Sequence, residues 1–179
     1  MIKKLLVFCL FCSFVQAQPT IRHNNLSINA FSILWGGFDL RYEYQYNSWL
    51  TFTVPVDLEF AAVSPLPNLT QQMVKALATG MFPTMQFASG FGARFNYEGF
   101  YVEPMIKVGY SRITLVPTAD PMNYVLIRPI VYLGYQRTFS SGLSLNVGAG
   151  PSFNFFLPKG VLVNSFPFFD VMMGVGYAF

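Results

Sequence analysis

The stretch Phe38-Asp39-Leu40-Arg41-Tyr42-Glu43-Tyr44-Gln45-Tyr46 constrains the fold of this chain more than any other. Apolar or aromatic side chains take every even position, and Asp, Arg, Glu and Gln take every odd one. Successive side chains of a strand point to opposite faces, so this segment offers one face to an apolar medium and one to a polar one. Leu50 to Phe60 repeats the pattern, with Leu50, Phe52, Val54, Val56, Leu58 and Phe60 on one face and Thr51, Thr53, Asp57 and Glu59 on the other.

Composition decides which medium lies outside. The 179 residues include only 11 Lys plus Arg and 8 Asp plus Glu, or 11% charged, against roughly 25% in an ordinary soluble domain. With 20 Phe and 10 Tyr, a water-soluble barrel that kept its apolar face inside would lack the charge to cover its surface. A helical membrane protein is excluded as well, because it needs about 18 or more continuous apolar residues. The longest charge-free stretch, Thr138 to Pro158, is interrupted by Ser140, Ser141, Gly142, Ser144, Asn146 and Pro151. A net charge of +3 without a Lys/Arg cluster offers no stripe for phosphates, so no nucleic-acid partner is expected.

Alternating segments recur along the chain, at Asn25–Leu34, Phe38–Tyr46, Leu50–Phe60, Thr84–Tyr97, Phe100–Leu115, Tyr124–Phe139, Leu143–Phe155 and Pro167–Phe179. Each is long enough for a tilted membrane strand, which takes about 9–11 residues. Their connections alternate. Asn47-Ser48, Glu98-Gly99 and Ser140-Ser141-Gly142 suit tight hairpins, while Ala61–Pro83, Val116–Asn123 and Phe156–Phe166 are long. Only Trp35-Gly36-Gly37 is short where a long link is expected. The fold class is therefore an all-β, transmembrane, antiparallel, eight-stranded up-and-down β-barrel. Pro55, Pro104, Pro129 and Pro151 interrupt the strands, and bulges or strand ends are the expected accommodation.

The first residues point to export. Met1 to Lys4 is basic, Leu5 to Val15 is apolar, and Val15-Gln16-Ala17 offers small residues at −3 and −1 of a cleavage site. This is the layout of a signal peptide over residues 1–17, leaving a barrel domain over 18–179. Cys9 and Cys12 leave with the peptide, so no disulfide and no cysteine chemistry is expected in the mature chain.

At the other end, Val171, Met173, Val175, Tyr177 and Phe179 share one face of the last segment. Here the chain resembles bacterial outer-membrane barrels, whose last strand ends in an aromatic residue, with Gly174, Tyr177 and Phe179 matching and Met172 standing where a polar residue is frequent. From Asn25 to Phe179 it is similar to the small eight-stranded barrels of the OmpX and OmpA-membrane-domain kind. The resemblance implies placement in the bacterial outer membrane with both termini periplasmic. The partners it implies are lipid, lipopolysaccharide and the barrel-assembly machinery that reads the C-terminal strand, and the implied state is a monomer. Aromatics at the strand ends are expected to form two girdles, with Tyr101 in the periplasmic one and Tyr124 in the outer one.

The apolar face being outward, the inward set includes Asp39, Arg41, Glu43, Asp57, Glu59, Arg94, Glu103, Lys107, Arg128 and Asp170, four basic and six acidic. Charges in a narrow lumen must pair, so a salt-bridged plug is expected, with Gly148, Gly150, Gly174 and Gly176 making room for long side chains. Eight strands enclose only enough space for side chains, which disfavours an open pore. A gated polar conduit or a proton path is the rival to simple filling, and filling is preferred; neighbouring carboxylates such as Asp57 and Glu59 are a candidate acid–base pair on spacing alone.

No catalytic, cofactor or metal site is expected. The one histidine, His23, precedes the first strand, and the mature chain lacks a cysteine nucleophile. Specificity is expected in the outer loops, where Met73 and Leu77 on a short helix from Asn68 to Met81 join Val161 and Phe166 as a candidate apolar contact. The function expected is a non-catalytic envelope element or loop-mediated interaction and adhesion platform. Passage of small polar or hydrophobic molecules is the alternative, and a lipid-modifying enzyme the third.

Overall fold

The computed structural model describes residues 22–34, 36–60, 82–114, 122–157, 163–164 and 168–179. The signal-peptide segment and the loop positions Met73, Leu77, Val161 and Phe166 lie outside these residues. The elements are β1 (Asn24–Asn29), α1 (Ala30–Leu34), β2 (Gly37–Gln45), β3 (Leu50–Glu59), β4 (Phe82–Tyr97) and β5 (Phe100–Thr114). They continue with β6 (Met122–Thr138), β7 (Leu143–Ser152), β8 (Phe155–Leu157), β9 (Val163–Asn164) and β10 (Phe168–Ala178).

Every ladder is antiparallel, and the sheet closes on itself through β5 with β6 and β1 with β10. The closure can be walked residue by residue. Ala178 pairs with Asn25, then Glu43, Thr53, Gly92, Met105, Ile130, Ser152 and finally Phe168, back on β10 ten residues from the start. A stagger of this kind tilts the strands and fixes the bore. β8 extends β7 along β6 and β9 pairs with β8, so the wall has eight strands.

Short-range chemistry makes the turns. The β4–β5 hairpin carries two left-handed residues, Glu98 (φ 50°) and Gly99 (φ 89°), as a two-residue turn matched to strand twist requires. Between β2 and β3, Asn47 Oδ1 accepts from the backbone N–H groups of Trp49 (3.0 Å) and Leu50 (2.8 Å). Both described ends of the chain lie at this same end of the barrel, where Phe179 exchanges backbone hydrogen bonds with Asn24.

An apolar belt runs round the outside. Every wall strand contributes exposed apolar residues, such as Ile28, Phe38, Val54, Phe91, Ile106, Leu133, Val147 and Val175. On β5 the exposed apolar series runs from Phe100 to Tyr110, an axial height of roughly 25 Å for a tilted strand, which matches a bilayer's hydrocarbon core. Outward charges on the described strands stand at the rims, Arg112 beyond Tyr110 on one side and Arg137 next to the β6–β7 turn on the other.

Three expectations need correction. The first strand ends at Asn29 rather than Leu34, and Ala30–Leu34 forms α1. Asn29 Oδ1 accepts from the Phe31 N–H at 3.1 Å and Ser32 Oγ donates to the Asn29 carbonyl at 2.7 Å, a side-chain cap that starts a helix. The link to β2 is therefore longer than Trp35-Gly36-Gly37. None of the four prolines needs a bulge, and only Pro151 stands at a strand end, one residue before β7 stops at Ser152. Pro55, Pro104, Pro129 and Pro151 stay in register with Arg41, Val131, Ile106 and Phe169, and each interrupts the ladder only on its opposite side. A proline removes one N–H, which serves one neighbour, so the other ladder is untouched. Tyr101 and Tyr124 are not girdle residues, because both are buried on the inward face.

Candidate functional site

The chemistry-bearing side chains of the barrel converge in its bore, and the ladder explains why. Asp39, Arg41 and Glu43 alternate on β2, Arg94 stands on β4, and Glu103 and Lys107 share a face of β5. These six are all at most 6% exposed, as is Asp57 on β3. Glu59 and Arg128 sit towards the wetter end of the same bore, with side chains 44% and 11% exposed. Asp170 on β10 is half-buried.

Glu103 is the centre of the larger cluster. Its Oε1 accepts from Thr53 Oγ1 at 2.7 Å, and its two oxygens lie 3.1 and 3.2 Å from Arg41 Nη1. Arg94 donates through Nε to Oε2 at 2.8 Å. The same guanidinium reaches Glu43, with Nη2 2.8 Å from Oε1, and donates through Nη1 to Gln136 Oε1. Gln136 Nε2 and Asn25 Nδ2 then donate to Glu43 Oε2 at 2.8 and 2.7 Å. Two arginines thus face two glutamates, and Thr53, Gln136 and Asn25 add neutral hydrogen bonds to the carboxylates, while Nε and Nη2 of Arg41 are buried without a hydrogen-bond partner among the described residues. Tyrosine rings complete the shell, with the Arg94 guanidinium 4.3 Å from the Tyr101 ring centroid and that of Arg41 5.3 Å from Tyr132.

Nearer the long-loop end the composition shifts. Lys107 Nζ bonds Asp57 Oδ2 at 2.6 Å, and Asn29 Nδ2 donates to Asp39 Oδ2 at 3.2 Å. Arg128 engages Asn154 Oδ1 at 2.5 Å and Gln86 Oε1 at 3.3 Å, with Glu59 Oε1 3.7 Å from its Nη1. Asp170 lies within electrostatic range of Lys107 and Arg128. Among the described residues, Asp39, Asp57, Glu59 and Asp170 share this half with Lys107 and Arg128, and Asp39 also lies within electrostatic range of Arg41. Asp57 and Glu59 do not form a carboxyl pair, because Asp57 turns to Lys107 and Glu59 to Arg128 and Gln86.

The bore also holds apolar residues that an outward-apolar rule misses. Tyr101, Met105, Ile130, Tyr132 and Met172 form one buried cluster, and Ala88, Tyr124, Leu126 and Phe156 another towards the long loops. Glycines receive the larger side chains. A Cβ on Gly148 would stand 2.3 Å from the Tyr101 hydroxyl. That hydroxyl donates to Asn146 Oδ1 at 2.7 Å. His23 lies outside the bore at the short-turn end, exposed, with Nδ1 2.9 Å from the Gln45 carbonyl oxygen. Gly174, Tyr177 and Phe179 lie on or next to β10, with Tyr177 and Phe179 outward and exposed and Gly174 inward against Asn146.

No family model matches the sequence, and no curated protein matches it. Among solved structures the chain is similar to the outer membrane protein Ail of Yersinia pestis in a phospholipid bilayer nanodisc. That likeness is at 13% identity and a TM-score of 0.41, over 89% of this chain and 100% of that one. The architecture stands on the chain's own register: a closed, eight-stranded antiparallel β-barrel of the membrane-spanning type, apolar outside and salt-bridged within.

Proposed function

We propose that this protein is a non-catalytic bacterial outer-membrane barrel whose bore is a structural plug. Its biological work is that of an envelope element or interaction platform presented by the outer loops. The observation that carries the reading is the Arg41–Glu103–Arg94–Glu43 cluster, fully buried and bonded across the bore. A side-chain network of this density leaves no aqueous path for ions. Lipid and lipopolysaccharide are then the medium, the short-turn end with both termini is periplasmic, and the C-terminal strand with Gly174, Tyr177 and Phe179 is the handle for the assembly machinery. Residues 1–17 serve as the export signal.

A non-catalytic role is supported by how the carboxylates are held. Glu103 and Glu43 are held by Arg41 and Arg94, Asp57 by Lys107, and His23 lies at the short-turn end of the barrel. The test is single-channel recording on residues 18–179 refolded in planar lipid bilayers, with folding verified by the gel-mobility change on heating. Silent membranes are expected. Reproducible conductance steps, lost in a variant such as Arg94→Ala or altered in size, would overturn the plug and favour passage of small molecules.

A further inference from the structure

We infer that the outer wall carries a built-in hinge at Phe153–Asn154, on the seam between β6 and β7, about which β8 swings off the outer layer of the bore when Arg128 releases Asn154. This goes beyond the plug reading and rests on the strand register, whatever the loops bind.

Two prolines weaken this seam together. Residues of an antiparallel strand point both backbone groups at one neighbour and alternate between the two neighbours. On β6 the odd positions therefore bond β7 and β8, as the Pro129 carbonyl does in accepting from the Phe153 N–H at 3.1 Å. In the register set by Ile130 opposite Ser152 and Ile127 opposite Phe155, Pro129 falls opposite Phe153 and Pro151 opposite Val131. Successive bonded pairs thus each lack one N–H, and the Phe153 and Val131 carbonyls lose their ladder donors. The Val131 carbonyl leans over Gly150, where a Cβ would collide with it. Pro55 and Pro104 each remove only one donor from the seam that they interrupt. Accordingly β7 stops at Ser152 and β8 starts at Phe155. On its other side β6 pairs with β5 without a break, from Tyr135 opposite Phe100 to Met122 opposite Ile113. β6 is the fixed post, and β8 is the leaf.

Side chains hold the leaf shut. At the level where the ladder is missing, Arg128 Nε donates to Asn154 Oδ1 at 2.5 Å, while Nη2 donates to Gln86 Oε1 on β4. Glu59, 3.7 Å from the same guanidinium, is 44% exposed, so water at the mouth competes for Arg128. Phe156 of β8 is buried against Tyr124, with 6.0 Å between ring centroids, and beside Leu126 and Ala88. Among the described residues β8 is otherwise paired only with Val125–Ile127 and with β9. The layer beside this contact holds Gln86 and Ser111, ladder neighbours in register with Tyr124 and both buried. Swinging β8 wets that layer and leaves the Arg41–Glu103 cluster closed.

The test is residue-resolved amide hydrogen exchange, followed by NMR on the chain refolded in nanodiscs. Odd amides of β6 report this seam, and even ones report the ladder with β5. Val125, Ile127, Phe155 and Leu157 are expected to share one protection factor, with a step up to Leu133 and to the even positions Leu126 and Ile130. Asn154→Ala, which removes the latch, is expected to raise the shared rate about tenfold, and Pro151→Val, which returns a donor to the Val131 carbonyl, to lower it about fivefold. Pro129→Val returns the other bond and carries the same expectation should Pro151→Val fail to fold. Pro104→Val, on the seam between β4 and β5, is expected to change none of these rates. A graded rise in protection from Val125 inward would be simple fraying and would overturn the hinge. A shared rate indifferent to Asn154 and to both seam prolines would overturn it equally.

Discussion

Tyr101 and Gly148 fit as knob and hole: the tyrosine hydroxyl lies 2.3 Å from where a Cβ on Gly148 would stand, and the residues are held on non-adjacent strands, β5 and β7. Little else crowds that position, since the next atoms, Met172 Cε and Tyr101 Cζ, are at 3.3 Å. Gly148→Ala is expected to cost about 1–3 kcal/mol by overpacking. Tyr101→Phe, alone costing about 1 kcal/mol for its lost bond to Asn146, should recover most of that loss in the double variant. Urea unfolding of the refolded barrel in vesicles measures all three.

The glutamate at the centre of the bore cannot be removed alone. Glu103→Ala leaves Arg41 and Arg94 short of their shared carboxylate, and a loss of about 3–5 kcal/mol is expected. By contrast, replacing the whole Lys107–Asp57 pair by Met and Leu is expected to stay within about 1–2 kcal/mol of the parent, although either single change costs more. A double-mutant cycle on unfolding free energy checks the contrast.

Asp39 and Asp57 are cross-strand partners, yet they are not equivalent. Asp57 holds Lys107 directly, whereas Asp39 accepts a hydrogen bond from the neutral amide of Asn29. Like charges opposite each other across a ladder repel. Asp39→Asn is therefore expected to leave stability unchanged or raise it by up to about 1 kcal/mol, while Asp57→Asn should lower it by about 2–3 kcal/mol. Equal effects of the two substitutions, read by thermal or urea unfolding, would contradict this asymmetry.

Phe179 closes the ladder with its backbone, through bonds to Asn24, and exposes its ring to the belt. Phe179→Ala keeps both backbone bonds. Unassisted refolding in detergent should therefore change by less than about 1 kcal/mol, while the amount of folded barrel assembled in cells should fall severalfold if the ring is what the assembly machinery reads. Parallel refolding and cell-fractionation measurements separate the two.

Most of the architecture was legible because a closed barrel writes itself as period two. Where legibility failed, the reason is local. Along Asn25–Asn29 the apolar residues Leu26 and Ile28 hold even positions, but Phe31 and Ile33 hold odd ones. That change of phase marks the end of β1, and the expected strand ran through it to Leu34. On β6 both faces are apolar, from Tyr124, Leu126, Ile130 and Tyr132 inside to Val125, Ile127, Val131 and Leu133 outside, and Arg128 and Gln136 are what set the inward parity. An apolar-outward rule places charges correctly and cannot see the buried Leu126, Ile130, Met105 and Met172. Partners such as Arg94 with Gln136, or Arg41 with Glu103, were illegible because they depend on the stagger between distant strands.

The bond from Arg41 to Glu103 joins β2 to β5, strands that are not ladder neighbours and residues 62 apart in the chain. Such a contact exists only once the wall has curled round, and the last seam to join is that of the first and last strands. Before that moment an open sheet lying in hydrocarbon would carry Arg41, Arg94 and Lys107 on a face with too few counter-charges. The bore charges thus make the bilayer inhospitable to any unfinished form of the chain. Entry into the membrane and curling of the wall are obliged to proceed together, and a chain truncated before β10 has no resting place there.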